Sequence, residues 1–525
     1  MSEGIGDVVR YWGRRHAAHP AVRANGRDVT WAQFDSATDE LAAGMYEAGF
    51  RRGDVIGILM HNRLEFLEVM IATMKIGAVV ELLNVRLTPT EMVHPISDAA
   101  PKAVVTESAL IDLLSLAAPQ HPELRIITTE EAGCGEPLEK LRRPGARPPR
   151  IDVAASDPAI ISYTSGTTGR PKGAVLSHGA IRIGGMSHAL ARPMSHVDRV
   201  LLTMPLAFAG GTATSFLGWG VMPGATTVIP PAVDTDSLLD AIEREQITAW
   251  PATTNFCESL INNSRFEGAD LSALRFAAAG GSPVSQSLLE IWQARGVALT
   301  QGYGSTELCG QHGSMLFADD AARKINTAGR PMLTIEMRAV DADDNDVPVG
   351  ESGELLVRGP ILFSGYLNQP EETAHAMRGG WFHTGDIATI DGEGYVSIVD
   401  RVKDMIISGG LNVYPAEVER VLARTPGMEQ FAVIGVPDDR WGEVPMVVVP
   451  DLTSVDLGKL RNISTTELAD YKRPRYVVEL GRNLPTTLSG KVLKRQLRDQ
   501  YQVVPPEALD LKTLSSENTK SGRGT

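Results

Sequence analysis

The chain has 525 residues, of which 43% are hydrophobic and 22% are charged, and these proportions exclude a mainly disordered protein. Its 50 Lys and Arg residues against 64 Asp and Glu residues give a formal net charge of −14, which excludes the diffuse positive field that nonspecific nucleic-acid binding needs. The three cysteines, Cys134, Cys257 and Cys309, lie far apart and exclude a disulfide scaffold or a cysteine-based zinc module.

The N-terminal residues have no apolar stretch after their charges, so they do not resemble a secretory signal peptide. We therefore expect a cytoplasmic protein. The length favours two or three domains, at roughly 150 residues per domain.

Short apolar runs alternate with helix-like segments through the first part of the chain. Helices are predicted at 39–49 and 65–76, and strands at 55–60, 79–83, 103–105, 126–127 and 159–163. This alternation is typical of layered α/β structure with parallel strands.

The segment 200–233 contains no charged residue and is longer than a membrane span requires. Four prolines and five glycines interrupt it, and a lipid-exposed helix broken in this way would leave backbone groups unsatisfied. We therefore predict buried interior, either as core alone or also as the wall of an apolar pocket.

The pattern changes after about residue 334. Strands predicted at 335–340, 354–358 and 395–399 are divided by turns, which indicates a β-rich subdomain. A smaller mixed unit follows, with a helix predicted at 415–424 and a strand at 431–436.

The segment 163–173 reads Tyr-Thr-Ser-Gly-Thr-Thr-Gly-Arg-Pro-Lys-Gly and lies between two apolar runs. Its glycines let the backbone turn tightly and bring N–H groups towards an anion, and its hydroxyl groups add donors. Lys172 adds a positive charge. The pattern predicts a phosphate-binding loop whose spacing differs from that of a Walker A motif.

This loop resembles the signature of the adenylate-forming superfamily, and within it the acyl-CoA synthetases that act on fatty or aryl acids. The resemblance continues through the segments 301–307, 384–386, 400–404, 408–415 and 485–491, and covers the chain from about residue 30 to about residue 498. It implies an α/β protein with a large N-terminal domain of layered α/β subdomains plus a β-rich subdomain. A small, mobile α+β C-terminal domain is implied as well. The predicted boundaries are 1–402, 403–505 and a polar tail at 506–525.

The resemblance also implies an enzyme that joins a small-molecule carboxylic acid to CoA at the expense of ATP, with Mg²⁺. The acid would first form acyl-AMP and diphosphate, and the acyl group would then pass to CoA with release of AMP. An enzyme that loads a carrier protein, a luciferase-like oxygenase and a catalytically silent nucleotide-binding module remain alternatives. The oligomeric state stays open, with a homodimer as one option.

The implied catalytic residues are Lys491, Lys172 and Glu307, with Glu307 and Thr164 as Mg²⁺ ligands. Lys491 would bridge the carboxylate and the α-phosphate. The residues implied to contact ATP or CoA are Thr164, Ser165, Gly166, Thr167, Thr168, Gly169, Lys172, Gly281, Ser282, Gln301, Gly302, Tyr303, Gly304, Thr306, Asp386, Arg401, Lys403, Ser408, Gly409, Gly410 and Lys491.

Several of these positions have a plainer interpretation. Gly302 to Gly304 could form an ordinary turn, and Asp386 could be a turn or cap residue. Arg401 could be a solvated surface group and Lys491 part of a basic tail. The resemblance instead assigns Asp386 and Arg401 to the ribose, and Lys403 to a hinge about which the C-terminal domain rotates. Ser408, Gly409 and Gly410 would line the pantetheine tunnel.

Phe208 and Gly280 are the residues predicted to line the acid pocket. Many CoA ligases carry an aromatic residue followed by His where this chain has Ala207 and Phe208, so a role for that His is absent here. Ala209 stands where amino-acid-activating relatives place an Asp, which argues against an α-amino-acid substrate. Fatty, alicyclic, aryl and steroid side-chain acids all remain open.

Overall fold

The computed structural model describes residues 3–130, 135–164, 171–280, 284–321, 323–325, 327–401, 404–408, 411–438, 440–486 and 492–513. Two compact units make up the chain. The first contains Met1–Met337 and Val357–Phe382, and the second contains Arg338–Leu356 and His383–Thr525. The predicted boundary between residues 402 and 403 lies inside the second unit, and it stays a prediction.

One sheet of the first unit has eight strands. Its central strands are parallel, as the alternation of strands and helices predicts, and Pro158–Thr164 pairs antiparallel with Lys172–Ser177. In sheet order the strands are Gly365–Tyr366, Lys172–Ser177, Pro158–Thr164, Val79–Leu82, Val55–Leu59, Ala103–Thr106, Arg125–Thr128 and Glu136–Pro137.

The other sheet of the first unit has nine strands. Six neighbouring strands are parallel, and antiparallel strands complete both edges. In sheet order the strands are Arg330–Pro331, Gly310–Met315, Leu299–Ser305, Phe276–Gly280, Ala249–Thr253, Arg199–Leu201, Thr226–Val228, Pro20–Ala24 and Arg27–Thr30.

The α-helices of the first unit mostly connect parallel strands. They are Ile5–Arg15, Trp31–Glu47, Leu64–Lys75, Pro89–Ala99, His178–Ala191, Thr235–Arg244, Thr254–Ile261, Gln286–Ala294 and Pro370–Ala376.

The helix predicted at 39–49 starts eight residues earlier, at Trp31. Thr30 caps it, because its hydroxyl accepts from the Gln33 N–H (3.2 Å) and the Gln33 side chain accepts from the Thr30 N–H (2.9 Å). The polar residues between Thr30 and Asp39 hide this start from a reading of apolar spacing.

Most of the uncharged segment 200–233 is buried, as predicted, but Pro205 and the last three residues, 231–233, are exposed. Its middle forms a π-helix, Gly210–Val221, in which every residue from Gly211 onwards is buried. Among the described residues, no helix combines the length and apolar character that crossing a membrane requires.

The second unit contains a four-stranded and a six-stranded sheet. The first has the order Glu336–Val340, Ser352–Arg358, Phe382–Ile390 and Val396–Arg401, in the region predicted to be β-rich. The second follows the order Leu411–Val413, Ile406–Ser408, Gly442–Val449, Tyr476–Glu479 and Leu509–Asp510, and Ala432–Asp438 also pairs with Gly442–Val449. The α-helices of this unit are Pro415–Leu422, Leu457–Glu467 and Lys494–Gln500.

Short 3-10 turns connect several of these elements. They include Ser108–Leu114, Ala118–Gln120, Leu138–Leu141, Phe266–Gly268, Thr306–Leu308, Ala318–Asp320, Leu452–Ser454 and Asp470–Lys472.

A buried ion-pair network joins two helices of the first unit. The Lys75 Nζ lies 2.6 Å from the Asp35 carboxylate and 2.7 Å from that of Asp39, and the Lys75 side chain is fully buried. Burial lowers the pKa of Lys75, while the two carboxylates act in the opposite direction and favour the charged form.

We expect Lys75→Met to destabilise the protein by about 3 kcal/mol, because it leaves the buried Asp39 carboxylate without its nearest cation. Lys102→Met is the matched control, since Lys102 forms an exposed ion pair with Asp54 at 2.8 Å and should contribute no more than about 1 kcal/mol. Urea unfolding followed by circular dichroism measures both. If the free energy of unfolding fell equally in the two variants, burial would not determine how much an ion pair stabilises this protein.

Candidate active site

Strand pairing fixes the two ends of the predicted phosphate loop. Thr164, the last residue of one strand, pairs with Lys172, the first residue of the next. The loop residues Ser165, Gly166, Thr167, Thr168 and Gly169 lie outside the described residues.

The side chain of Lys172 lies between a carboxylate and an aromatic ring. Its Nζ contacts the Glu372 carboxylate and is 5.1 Å from the centroid of the Tyr366 ring. Only 10% of the Lys172 side chain is exposed. The Lys172 ammonium lowers the pKa of Glu372 through a direct hydrogen bond. A cation is therefore held beside the loop by groups that a phosphate could replace.

Glu307 lies in the 3-10 turn Thr306–Leu308, directly after the strand Leu299–Ser305. The Tyr366 hydroxyl donates to Oε1 of Glu307 at 2.9 Å, and the Phe363 N–H donates to the Glu307 carbonyl at 2.8 Å. Burial, together with the nearby Glu307 charge, raises the pKa of Tyr366. Tyr366 is therefore a neutral phenol that can donate this hydrogen bond.

The segment 363–372 connects Lys172 with Glu307. The Ser364 N–H donates to the Val175 carbonyl (2.8 Å), the Leu367 N–H donates to the Gly173 carbonyl (2.7 Å), and Tyr366 pairs with Ala174. These bonds add the short strand Gly365–Tyr366 to the edge beside Lys172–Ser177. Tyr366 consequently touches the predicted phosphate-binding lysine and the predicted metal-binding carboxylate at the same time.

Sequence analysis missed Tyr366 and Glu372. The segment Gly365-Tyr366-Leu367 has no charge or glycine-rich pattern that indicates a site. Glu372 resembles any carboxylate in the first turn of a helix. Their roles arise from strand pairing with residues about 190 to 200 positions earlier, which local patterns do not reveal.

The site contains ligands that suit Mg²⁺ bound together with a triphosphate. No group of three or more His, Cys, Asp or Glu side chains in the described part of the chain could hold a metal alone. Glu307 supplies a carboxylate and Thr164 a hydroxyl oxygen. Mg²⁺ in nucleotide sites is commonly held by one or two protein oxygens and completed by substrate phosphates. The donor set fits this pattern.

Gln301, Gly302, Tyr303 and Gly304 lie within the strand Leu299–Ser305, so the alternative of an ordinary turn is wrong. Thr306 follows as the first residue of the 3-10 turn. The Ser305 hydroxyl is buried and has no hydrogen-bond partner among the described residues. The strand thus ends in a cluster of small and polar residues beside Glu307.

Two residues are predicted to line the acid pocket. Gly280 lies on the nine-stranded sheet, and Phe208 lies near the π-helix Gly210–Val221. Gly280 is the last residue of the strand Phe276–Gly280, and Gly281 and Ser282 fall outside the described residues. Phe208 is half-buried and lies two residues before the start of the π-helix, and its carbonyl accepts from the Gly211 and Thr212 N–H groups at 3.0 Å.

In the second unit, Asp386 and Arg401 are directly opposite each other on antiparallel strands. Arg401 Nε is 2.8 Å from Asp386 Oδ1, and the Asp386 side chain is 7% exposed. Asp386 lies inside the strand Phe382–Ile390, so it is neither a turn nor a cap residue. Arg401 is ion-paired and not simply solvated. Their assignment to the ribose stays a prediction.

Of the remaining predicted residues of the second unit, Ser408 is among the described residues. Ser408 is buried at the end of the strand Ile406–Ser408. Thr486 and Val492, on either side of Lys491, form an antiparallel bridge. Lys403, Gly409, Gly410 and Lys491 lie outside the described residues.

Comparison with known proteins covers nearly the whole chain. The family model "AMP-binding enzyme" matches residues 9–367, and the model "AMP-binding enzyme C-terminal domain" matches residues 417–491. A feruloyl-CoA synthase of Amycolatopsis is 37% identical over 95% of this chain and 99% of its own length. A long-chain-fatty-acid–CoA ligase of Mycobacterium tuberculosis is 35% identical over 91% of this chain and 94% of its own length. The crystal structure of ATP-bound MatB from Rhodopseudomonas palustris superimposes with a TM-score of 0.86 at 28% identity, covering 96% of this chain and 99% of that one.

We expect Tyr366→Phe to raise the Mg²⁺ concentration that half-saturates ATP-dependent activity by about 10-fold. The variant loses a hydrogen bond to a charged carboxylate, which typically contributes 1.5–3 kcal/mol. A Mg²⁺ titration at fixed ATP measures the effect. Tyr11→Phe, which changes a tyrosine that is 51% exposed, is the control. An unchanged Mg²⁺ dependence in Tyr366→Phe would contradict a role in positioning Glu307.

Proposed function

This chain belongs to the family of AMP-binding enzymes, and from that membership we propose which residues carry its reaction and which acid it takes. It is an AMP-forming acid:CoA ligase, which activates a carboxylic acid as acyl-AMP and transfers the acyl group to CoA. The observation that supports this activity is the similarity of the chain to CoA ligases over more than nine-tenths of its length.

The chemistry explains why such a site is needed. A carboxylate does not react with a thiol, because the oxygen that must leave is a very poor leaving group. Attack of the carboxylate oxygen on the α-phosphorus of ATP expels diphosphate and forms a mixed anhydride. The thiol of CoA then attacks the acyl carbon, the thioester forms, and AMP leaves.

Lys172 and the loop that precedes it bind the β- and γ-phosphates in this proposal. The arriving triphosphate replaces Glu372 as the partner of the Lys172 ammonium, so a buried cation is never left without an anion. Glu307 and Thr164 hold Mg²⁺, which when bound neutralises phosphate charge. Tyr366 keeps the Glu307 carboxylate in place through its hydrogen bond.

The nucleoside is held by residues from several strands. Gly281, Ser282, Gln301, Gly302, Tyr303 and Gly304 surround the adenine, and Thr306 donates to the α-phosphate. The Asp386 carboxylate accepts hydrogen bonds from the ribose hydroxyls, and its ion pair with Arg401 fixes the position of the carboxylate.

Lys491 and the hinge complete the proposal. The Lys491 ammonium bridges the substrate carboxylate and the α-phosphate, where charge develops during adenylation. Rotation about Lys403 then withdraws Lys491 and brings Ser408, Gly409 and Gly410 to the path of the CoA thiol.

The acid is apolar or aromatic in this proposal. Phe208 and Gly280 line its pocket, and the buried π-helix Gly210–Val221 carries no charged residue. The two curated relatives are named for a long-chain fatty acid and for the aryl acid ferulate. Fatty-acid metabolism, a cytoplasmic location and a homodimer stay predictions from the sequence.

We expect Lys491→Ala to lower acyl-adenylate formation by about 100-fold or more, as loss of a group that stabilises developing charge does in other enzymes. Thioester formation from supplied acyl-AMP should continue, because that step does not use Lys491. Acid-dependent diphosphate release and CoA-dependent AMP release, measured separately, distinguish the two steps. Normal diphosphate release in the variant would refute the assignment of Lys491.

A further inference from the structure

Four buried side chains that the reaction does not use form one group in the first unit. We name His188, Arg192, Trp219 and His312 the inner polar cluster. Their exposed fractions are 2%, 5%, 0% and 0%, respectively. The Arg192 guanidinium is 4.6 Å from the Trp219 ring centroid, and the rings of His188 and His312 are 4.9 Å apart. The cluster is continuous, since His188 also lies 5.8 Å from Trp219.

Arg192 is a buried cation without a described counter-ion. Its Nη2 donates to the Thr300 hydroxyl at 2.8 Å, and its Nη1 contacts the Met315 sulfur and lies 3.5 Å from the His188 Nδ1. No carboxylate in the described part of the chain forms an ion pair with it. Burial alone lowers the pKa of Arg192 to about 9. A buried arginine is normally paired with an acid, so the described structure leaves its charge uncompensated.

Other members of the cluster have unused hydrogen-bonding atoms. Both ring nitrogens of His312 and the Nε1 of Trp219 are buried without a hydrogen-bond partner among the described residues. Burial lowers the pKa of His312 to about 3, so its ring is neutral and offers one donor and one acceptor. Buried polar atoms in folded proteins are nearly always satisfied, so each exception calls for an explanation, which can be a functional role.

A row of small residues leads from the proposed reaction centre to Arg192. Ala278 pairs with Thr300 in parallel register, and alternation along a strand places Gly280 beside Gly302 on the same face. The hydrogen bond from Arg192 identifies this face as the one that points towards the cluster. Ala278 lies two residues before Gly280, or about 7 Å along the strand. An acid that lies beside Gly280 in the proposed pocket could therefore extend past Ala278 to Arg192, which contacts Thr300 next to it.

We propose that the inner polar cluster binds a hydroxyl or carboxylate oxygen at the far end of the acid substrate. The inference rests on the proposed function, since that proposal makes Gly280 part of the wall of the acid pocket. Arg192 and Trp219 each donate an N–H to this oxygen. His312 accepts a hydrogen bond from a hydroxyl group or donates one to a carboxylate. The remaining stem of the acid contacts Ala278, Gly280 and the π-helix.

Two pairs of acids test this site and distinguish the two oxygen types. One pair is an aryl propanoic acid and its para-hydroxy derivative, and the other is a straight-chain monocarboxylic acid and the dicarboxylic acid of equal carbon number. We expect kcat/KM for diphosphate release to favour the oxygen-bearing member of at least one pair by about 10-fold or more, as for a hydrogen bond to a charged group.

Arg192→Met should abolish that preference, so that kcat/KM is about the same for both acids of a pair. The methionine side chain is similar in length to the aliphatic part of arginine but donates no hydrogen bond. Arg182→Met is the matched control, since Arg182 lies on the helix His178–Ala191 that Arg192 directly follows, and it donates from an exposed position to the Glu3 carbonyl at 2.7 Å. It should keep the full preference. Trp219→Phe removes the Nε1 donor while it keeps an aromatic ring, and it should reduce the preference about threefold, which keeps the test decisive if Arg192→Met does not fold.

The change in melting temperature on addition of each acid provides a second measurement that does not require turnover. The oxygen-bearing acid should stabilise the native protein more than its partner, and Trp219→Phe should reduce the difference. The proposal would be overturned if kcat/KM and the shift in melting temperature were equal for the two acids of each pair. It would also be overturned if Arg192→Met and Trp219→Phe kept the full preference for the oxygen-bearing acid. If no acid released diphosphate at all, the proposed function would fail, while the melting-temperature comparison would still decide whether the cluster binds an oxygen.

Discussion

The hydrogen bond from Tyr366 to Glu307 is the interaction on which the arrangement of the site in the first unit depends. The same segment carries Glu372, which neutralises Lys172. Lys172 and Glu307, which we propose to act on the same triphosphate, carry opposite charges and would attract each other if nothing held them apart. Here each has its own partner, and backbone hydrogen bonds to the strand Lys172–Ser177 fix the segment that supplies both. The site is therefore assembled by strand pairing as much as by its loop.

Much of this could be predicted from local patterns. The strands 55–60 and 79–83 are recognisable because they are short apolar runs between helices, and the loop at 163–173 because glycines, hydroxyls and a lysine have one plausible chemistry in common. The start of the helix at Trp31 was hidden, since a capping box reads as a polar stretch. Tyr366 could not be found, because its role depends on pairing with distant Ala174. The sequence around Asp386 also allows a turn, and only its strand pairing with Arg401 excludes that alternative.

Charge is placed locally in this acidic protein. The formal net charge is −14, yet Lys172 is buried beside the loop and Arg192 is buried against the strand Leu299–Ser305. Lys172 has a carboxylate partner that a phosphate can replace, whereas Arg192 has none among the described residues. In our proposals, this difference separates a cation that changes partners during the reaction from one that selects a substrate. It also explains how a pocket with apolar walls could discriminate between acids of similar size.

The central claim is that the protein forms acyl-AMP from a free carboxylic acid. Exchange of labelled diphosphate into ATP, measured without CoA and with Mg²⁺ across a panel of apolar and oxygen-bearing acids, tests it most directly. The account predicts exchange that depends on at least one of these acids and is absent without acid. Thioester formation that proceeds with no acid-dependent exchange, or that releases ADP in place of AMP, would contradict it.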